Sequence, residues 1–436
     1  MKKKVLVISY YWPPAGGISV HRCLKFVKYL RKFNWQPIVF TPDNPLYFFV
    51  DESNYKDIPL DAEIIKTKIW EPHHLFRKFA GFKNKDRFPD VFLEESKPNL
   101  FVKIGIWIRG NLFIPDARKF WIRSSVNYLS QYLISNPVDA VLSLGPPHST
   151  HMIAYKIKKK FQIPWLADFQ DPWTQADYYQ RLMLNPLSRK IHEAMERRIF
   201  KYADKITICS ESWKKDLESI GAENVGVILW GYDKDDFEND TVEPQKKFII
   251  SHFGRLTPDR NPVTLWKVLS DLSANNSQFK NDLEIELIGF NSYSIIESIK
   301  KNGLDNNLKN RGHVKRDQAL KMMRNSNVLL LILNDAENVL GRIPGKIFEY
   351  LACKKTIIVI GPDESDVSSI VKDSNAGVTC DFNDYEKTYY VIDDMYKKYL
   401  NNKLSVNTSN IEQYSVENST SILAEYLNII SKNSGE

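Results

Sequence analysis

Short apolar runs of strand length alternate with stretches in which apolar residues recur every three or four positions. Lys4–Ser9 is the first run, and it predicts a buried strand. After the turn Tyr10–Gly17, Val20, Leu24, Val27 and Leu30 recur at helical spacing with Lys25, Lys28, Arg31 and Lys32 between them, which predicts an amphipathic helix. Pro37–Thr41 is the next strand. The order strand, loop, helix, strand opens a parallel, doubly wound sheet. Further predicted strands are Asp139–Leu144, Trp165–Asp168, Lys205–Cys209 and Val225–Leu229, with a helix over His151–Lys160 and Ser210 or Ser212 capping the helix after the third of these.

The segment Lys234–Lys247 is acidic, polar and proline-bearing and reads as a linker. A second series follows it: strand Phe248–Phe253, helix Val263–Leu272, strand Leu283–Ile288, a helix after Ser292, strand Asn327–Leu333, loop Asn334–Ile343, helix Pro344–Ala352 and strand Thr356–Ile360. Ser419–Ile430 is a final amphipathic helix. The expected organisation is an N-terminal α/β domain over 1–233, a C-terminal α/β domain over 248–415 and a terminal helix over 416–436. Open α/β sheets take ligands at the carboxyl ends of their strands. Every polar cluster of interest follows a predicted strand.

Residues 66–125 break this rhythm and read as an insertion. They combine bases (Lys66, Lys68, Arg77, Lys78, Lys83, Lys85, Arg87, Arg109) with the aromatic stretch Phe101–Trp107. One reading is a surface that lies on an anionic membrane. The other is a helical cap with a core of aromatics and a solvated basic face.

Composition narrows the class. Of the 436 residues, 43% are hydrophobic and 26% charged, with 10 Trp, 21 Tyr and 23 Phe, which excludes a disordered chain. Apolar runs fall well short of the roughly 20 residues of a membrane-spanning helix. Met1–Lys4 and the run behind it resemble a signal peptide only until Trp12-Pro13-Pro14, so a cytoplasmic protein is expected, with peripheral membrane contact open. The net charge of +7 suits anionic substrates or lipid, and no nucleic-acid signature accompanies it. Cys23, Cys209, Cys353 and Cys380 are far apart and form neither a disulfide framework nor a metal pattern. No metal and no cofactor is expected.

Three clusters carry candidate chemistry. Gly16-Gly17 lies between a strand and a helix, where a ligand can approach the backbone, though a tight turn needs the same residues. It is not the dinucleotide fingerprint, and Asp43 after strand two does not replace the missing glycines. Gly254 ends a strand, and Arg255 and Arg260 follow it five residues apart. Guanidinium forks match phosphate oxygens, so a diphosphate site is one reading and surface ion pairing the other. In Pro344-Gly345-Lys346-Ile347-Phe348-Glu349-Tyr350-Leu351-Ala352, Gly345 lets a ligand approach, Lys346 adds charge, and Glu349 can accept from two vicinal hydroxyls of a ribose. Complementing the helix dipole is the alternative role for Glu349. His148 and Asp171 follow two other strands, where capping, packing or turn formation would also explain them.

Taken together these stretches resemble the family-four retaining glycosyltransferases of the GT-B fold, and among them the bacterial enzymes of surface-polysaccharide synthesis. The similarity rests on Trp12-Pro13-Pro14-Ala15-Gly16-Gly17, Gly145-Pro146-Pro147-His148-Ser149, Asp168-Phe169-Gln170-Asp171-Pro172-Trp173, Gly231-Tyr232-Asp233, His252-Phe253-Gly254-Arg255 and the Pro344–Ala352 stretch, in the expected order over nearly the whole chain.

The resemblance implies two Rossmann-like domains facing across a cleft, with the last helix crossing back to the first domain. It implies a nucleotide-diphosphate sugar as donor and a glycan or lipid-linked acceptor, as in capsule or O-antigen synthesis. Arg255 and Arg260 would bind the donor diphosphate, with Gly254, Gly345 and Lys346 beside it, and Glu349 the ribose. Gly16 and Gly17 would line the site near the diphosphate and acceptor, His148 would sit near the transferred sugar, and Asp171 near the acceptor. Two departures stand out. Gly341 occupies the position, eight before Glu349, where relatives often carry an acid, and Trp230 replaces a common asparagine. A sugar-nucleotide epimerase of the same fold and a non-catalytic assembly scaffold are the rival functions.

Overall fold

The structure is a computed structural model, and it describes residues 2–47, 49–71, 100–177, 179–237 and 245–432. The bases Arg77, Lys78, Lys83, Lys85 and Arg87 of the expected insertion lie outside the described residues, as does half of the expected linker. The chain divides into two compact units, one of Met1–Trp230 with Val416–Glu436, the other Gly231–Ser415.

The first unit holds a seven-stranded sheet in the order β3-β2-β1-β4-β5-β6-β7. Its strands are β1 Lys3–Ile8, β2 Trp35–Pro42, β3 Glu63–Thr67, β4 Ala140–Gly145, β5 Trp165–Phe169, β6 Lys205–Ile208 and β7 Val225–Val227, and neighbours run parallel throughout. Parallel strands are covered on both faces, so they read as continuous apolar runs. Alternate residues of β1 show how the faces divide. Leu6 and Ile8 join a core with the helices Lys119–Ser135, Ser149–Phe161 and Pro186–Tyr202. Val5 and Val7 point into another core with Cys23, Leu24 and Val27 of helix Ile18–Leu30. Leu423, Ala424, Leu427 and Ile430 of the C-terminal helix Val416–Lys432 complete that second core, so the last helix belongs to the first unit.

The second unit holds a six-stranded parallel sheet in the order β10-β9-β8-β11-β12-β13. The strands are β8 Phe248–Phe253, β9 Leu283–Ile288, β10 Leu308–Gly312, β11 Val328–Ile332, β12 Thr356–Ile360 and β13 Gly377–Cys380. In each unit the strand order reverses beside the first strand, between β1 and β4 and between β8 and β11. A crevice at such a reversal is where open α/β sheets take ligands.

Several boundaries differ from expectation. The strand expected over Val225–Leu229 ends at Val227; Ile228 still donates to the Ile208 carbonyl, and the Ile228 and Leu229 carbonyls then accept from Arg22 instead of from a neighbouring strand. Lys234–Phe237, expected as linker, is a 3-10 turn. Lys66 and Thr67, placed at the start of the insertion, are the end of β3, and helices Leu100–Leu112 and Lys119–Ser135 follow within or across the stretch. Of the two candidate caps it is Ser210 that acts, its hydroxyl accepting from the Trp213 amide. No described helix is long and apolar enough to cross a membrane.

Candidate functional site

In the second unit the chemistry-bearing residues gather where β8 ends. Gly254 follows Phe253 with φ of +111°, a conformation that favours glycine. A Cβ built there would stand 3.2 Å from Lys346 Nζ. The helix carrying Lys346 runs from Lys346 to Ala352, two residues later than the pattern predicts, because Pro344 and Gly345 form the turn before it. Lys346 Nζ donates to the Phe253 carbonyl at 2.5 Å and lies 3.2 Å from His252 Nε2. His252 Nδ1 faces the Leu330 carbonyl of β11 at 3.0 Å, so its N–H belongs on Nδ1 and Nε2 is the acceptor for lysine. Burial, then the charges of Lys346 and Arg260, keep this imidazole neutral, well below its ordinary pKa. Lys346 itself is brought down to about 7 by burial and by Arg260, against the opposing pull of Glu349.

Arg260 therefore stands close enough to Lys346 and His252 to act on both. Arg255 lies across the face of Phe290, 5.3 Å from its centroid. The Asp335 amide donates to the Asp259 carbonyl at 3.3 Å, which ties the loop after β11 to the arginine loop. Gly345 precedes Lys346 as the helix cap, and Glu349 lies one turn further on. One oxygen of the Glu349 carboxylate is already engaged: Arg316 Nη1 reaches Oε1 at 2.5 Å while Nη2 of the same guanidinium reaches Asp236 Oδ2 at 3.0 Å. Burial opposes the Arg316 charge, but Glu349 and Asp236 outweigh it and raise its pKa above the ordinary arginine value. Arg316 is absent from the expected set, since β10, which leads to its helix Arg316–Asn325, is too polar to be read as a strand.

In the first unit, Gly16 and Gly17 follow β1. The Gly16 amide donates to the Phe49 carbonyl at 2.8 Å, and a Cβ on Gly16 would lie 2.0 Å from the Phe49 ring. Gly17, with φ of +91°, caps helix Ile18–Leu30 with open space where its Cβ would be. His148 follows β4 and stacks on Trp173 from the turn after β5, with ring centroids 4.3 Å apart and planes 4° apart. Asp171 precedes Trp173 by two residues in that turn. The Gln170 amide donates to the Gly145 carbonyl at 2.8 Å, so the two loops are stitched together. His148 is 4% exposed, and neither ring nitrogen has a hydrogen-bond partner within the described residues. Burial, with His151 and His192 nearby, holds its pKa far down, so it is a neutral imidazole and no source of protons at pH 7.

Asp168 serves the fold. It receives Nε and Nη2 of Arg22 at 2.8 and 2.7 Å and the Thr207 hydroxyl at 2.7 Å, all buried. Asp116 accepts from the amide and hydroxyl of Ser149, both at 2.8 Å, anchoring the helix after His148.

A family model described as Glycosyl transferases group 1 matches residues 233–410. No curated protein sequence matches the chain. Among solved structures it is similar to the N-terminal domain of trehalose-6-phosphate phosphatase from Candida albicans, at 15% identity and a TM-score of 0.64 over 99% of this chain and 97% of that one. It is also similar to S. aureus TarM, solved with fondaparinux, alpha-GlcNAc-glycerol and UDP, at 12% identity and a TM-score of 0.59 over 98% and 99% of the two chains. A third is Anabaena HepE in complex with UDP-glucose, at 13% identity and 0.54 over 99% and 98%. These likenesses show the fold: two parallel-sheet, Rossmann-like domains in one chain, the GT-B type that the motifs imply.

Proposed function

We propose that the protein transfers a sugar from a nucleotide-diphosphate sugar to a glycan or lipid-linked acceptor, with retention at the anomeric carbon and without a metal, in the synthesis of a cell-surface polysaccharide. The carrying observation is the seat of Lys346 beneath Gly254 at the end of β8, beside Arg260 and one turn before Glu349. The match of residues 233–410 to group 1 glycosyl transferases supports it, as do the UDP and UDP-glucose held by TarM and HepE. In the reaction the bond from the anomeric carbon to the diphosphate oxygen breaks, and an acceptor hydroxyl oxygen bonds to that carbon and gives up its proton to the departing diphosphate. Negative charge builds on the departing diphosphate. Arg255, Arg260 and Lys346 offset it, the task a metal ion performs in other transferases. Glu349 accepts from the ribose hydroxyls. Gly341 stands where an acid is common, so contacts to the sugar fall to backbone amides of residues 341–346, apart from Pro344, which has no N–H, and Arg342, whose N–H donates to the Val339 carbonyl. Gly16, Gly17, His148 and Asp171 serve the sugar and acceptor side, with His148 as a neutral hydrogen-bonding group.

The test is a thermal-shift screen with UDP- and GDP-sugars, followed by transfer assays on Glu349→Ala and Arg255→Ala. Both variants are expected to stay folded and lose transfer. Loss of one donor to a developing anion typically costs about 100- to 1000-fold in turnover. Near-normal turnover at saturating donor would remove that residue from the mechanism. An epimer formed from the nucleotide sugar alone would point to the epimerase, and no shift with any nucleotide to a scaffold.

The same reading includes peripheral contact with an anionic membrane. Trp70 packs edge-on against Phe120 at 4.6 Å, Phe113 lies 6.1 Å from Phe120, and Lys119 sits over both phenylalanines. Trp70, Ile104, Trp107 and Leu112 are all more than 40% exposed, with Lys66, Lys68, Lys103 and Arg123 in the same stretch. Aromatic side chains among lysines suit a headgroup layer. Vesicles containing anionic lipid should sediment the protein in a salt-sensitive manner, and equal binding to neutral vesicles would count against it.

A further inference from the structure

Glu349 and its surroundings present a three-membered polar chain. Arg316 opens helix Arg316–Asn325 and lies between two carboxylates, Glu349 at 2.5 Å and Asp236 at 3.0 Å. The side chains of Arg316 and Glu349 are only 25% and 18% exposed, and that of Asp236 11%. A guanidinium is planar and rigid, so two acceptors fix its position and thereby the plane of each carboxylate it touches. Asp236 is itself held. It belongs to the 3-10 turn Lys234–Phe237, its carbonyl faces Arg324 Nη1 at 3.5 Å, and Lys234 pairs with Glu412. Arg324 lies over the Phe237 ring at 5.7 Å. One helix thus braces the turn through Arg324 and the carboxylate through Arg316.

We propose that Arg316 is a positioning residue for nucleotide recognition: anchored on Asp236, it holds the Glu349 carboxylate by Oε1 and leaves Oε2 to take the vicinal hydroxyls of a ribose. The inference rests on the ribose role of Glu349 put forward above. Without Arg316 the carboxylate has free rotation about its side chain, and a diol that needs fixed acceptors loses its partner. The diphosphate end of the ligand, held by other residues, keeps its hold.

The experiment compares wild type with Arg316→Met, Asp236→Asn and Glu349→Gln. Each is titrated calorimetrically with UDP, ADP and GDP, each nucleotide beside its 2′,3′-dideoxy form, and with inorganic pyrophosphate. In wild type at least one ribonucleotide should bind about tenfold or more tighter than its dideoxy form, as expected for hydrogen bonds to a charged acceptor. In Arg316→Met that ratio should fall to about twofold or less, with pyrophosphate affinity within about twofold of wild type. Asp236→Asn should fall between the two. A full ratio in Arg316→Met, alongside a collapsed ratio in Glu349→Gln, overturns the role of Arg316 and leaves the ribose role standing. A full ratio in Glu349→Gln, or none in wild type, overturns the ribose role and this inference with it. Equal loss of pyrophosphate and nucleotide binding in Arg316→Met would mean that the arginine supports the domain as a whole, which also overturns it.

Discussion

Burial brings the Lys346 ammonium down to a pKa of about 7, with Arg260 acting the same way and Glu349 against it. In the free protein the amine is therefore mostly neutral at pH 8. A bound diphosphate favours the charged form and raises the pKa, so binding above pH 7 takes up a proton at this group and weakens as pH rises. Calorimetry with a nucleoside diphosphate at pH 8, in buffers of different ionisation heat, should show that uptake, and Lys346→Met should lose it. Unchanged uptake in the variant would assign the proton elsewhere. The effect on folding has its own sign. The folded pKa lies below the value of 10.5 for an unburied lysine, so between about pH 7 and 10.5 the unfolded chain binds more protons and this group's contribution to stability rises with pH. Arg22 and Asp168 show the opposite use of charge. They are a fully paired, buried couple, and removal of either partner typically costs about 3–5 kcal/mol because it strands the other.

Among the elements, every central strand was legible, and of the four edge strands only β7 was. β3, β10 and β13 were not predicted, and each lies at an edge of its sheet. An edge strand has one paired neighbour and less cover, so it tolerates polar residues. β10 reads Leu-Lys-Asn-Arg-Gly, with its three middle residues exposed. The C-terminal helix Val416–Lys432 was legible from its periodicity. Its core partners are Val5, Leu24 and Val27, roughly four hundred residues earlier in the chain. Lys3 Nζ donates to Ser431 Oγ at 2.8 Å, and Lys32 pairs with Glu417 at 3.0 Å, closing the helix onto the first unit from both ends. Full burial of Leu423, Leu427 and Ile430 is worth about 1.5–3 kcal/mol each, a large part of the roughly 5–15 kcal/mol that stabilises a domain. Truncation after Ser415 should therefore strip hydrogen-exchange protection from helix Ile18–Leu30 and β1 and leave β8, β11 and β12 protected. Retained protection in the first unit would show that the helix is dispensable to it.

At the scale of the molecule, periodicity yields two β/α series with glycine-bearing turns after the first strand of each, and the acidic, proline-bearing stretch from Lys234 marks the break between them. These are local properties: a parallel strand must be apolar on both faces, a helix needs one apolar stripe, and a strand-to-helix turn that a backbone enters at positive φ favours glycine, as at Gly17 and Gly254. The kinds of residue at the candidate site were equally visible, since Arg255 and Arg260 follow the legible strand β8 and Lys346 and Glu349 belong to a legible helix beyond the loop after β11. What tertiary structure alone decided is which of them meet and what state they are in. Lys346 reaches the Phe253 carbonyl across 93 residues, Arg316 reaches Glu349 across 33 and Asp236 across 80, and Arg22 reaches Asp168 across 146. Such pairs depend on strand order, on crossover direction and on how deeply each charge is buried. Those are properties of the packed sheet and its helices, and no local pattern along a chain encodes them.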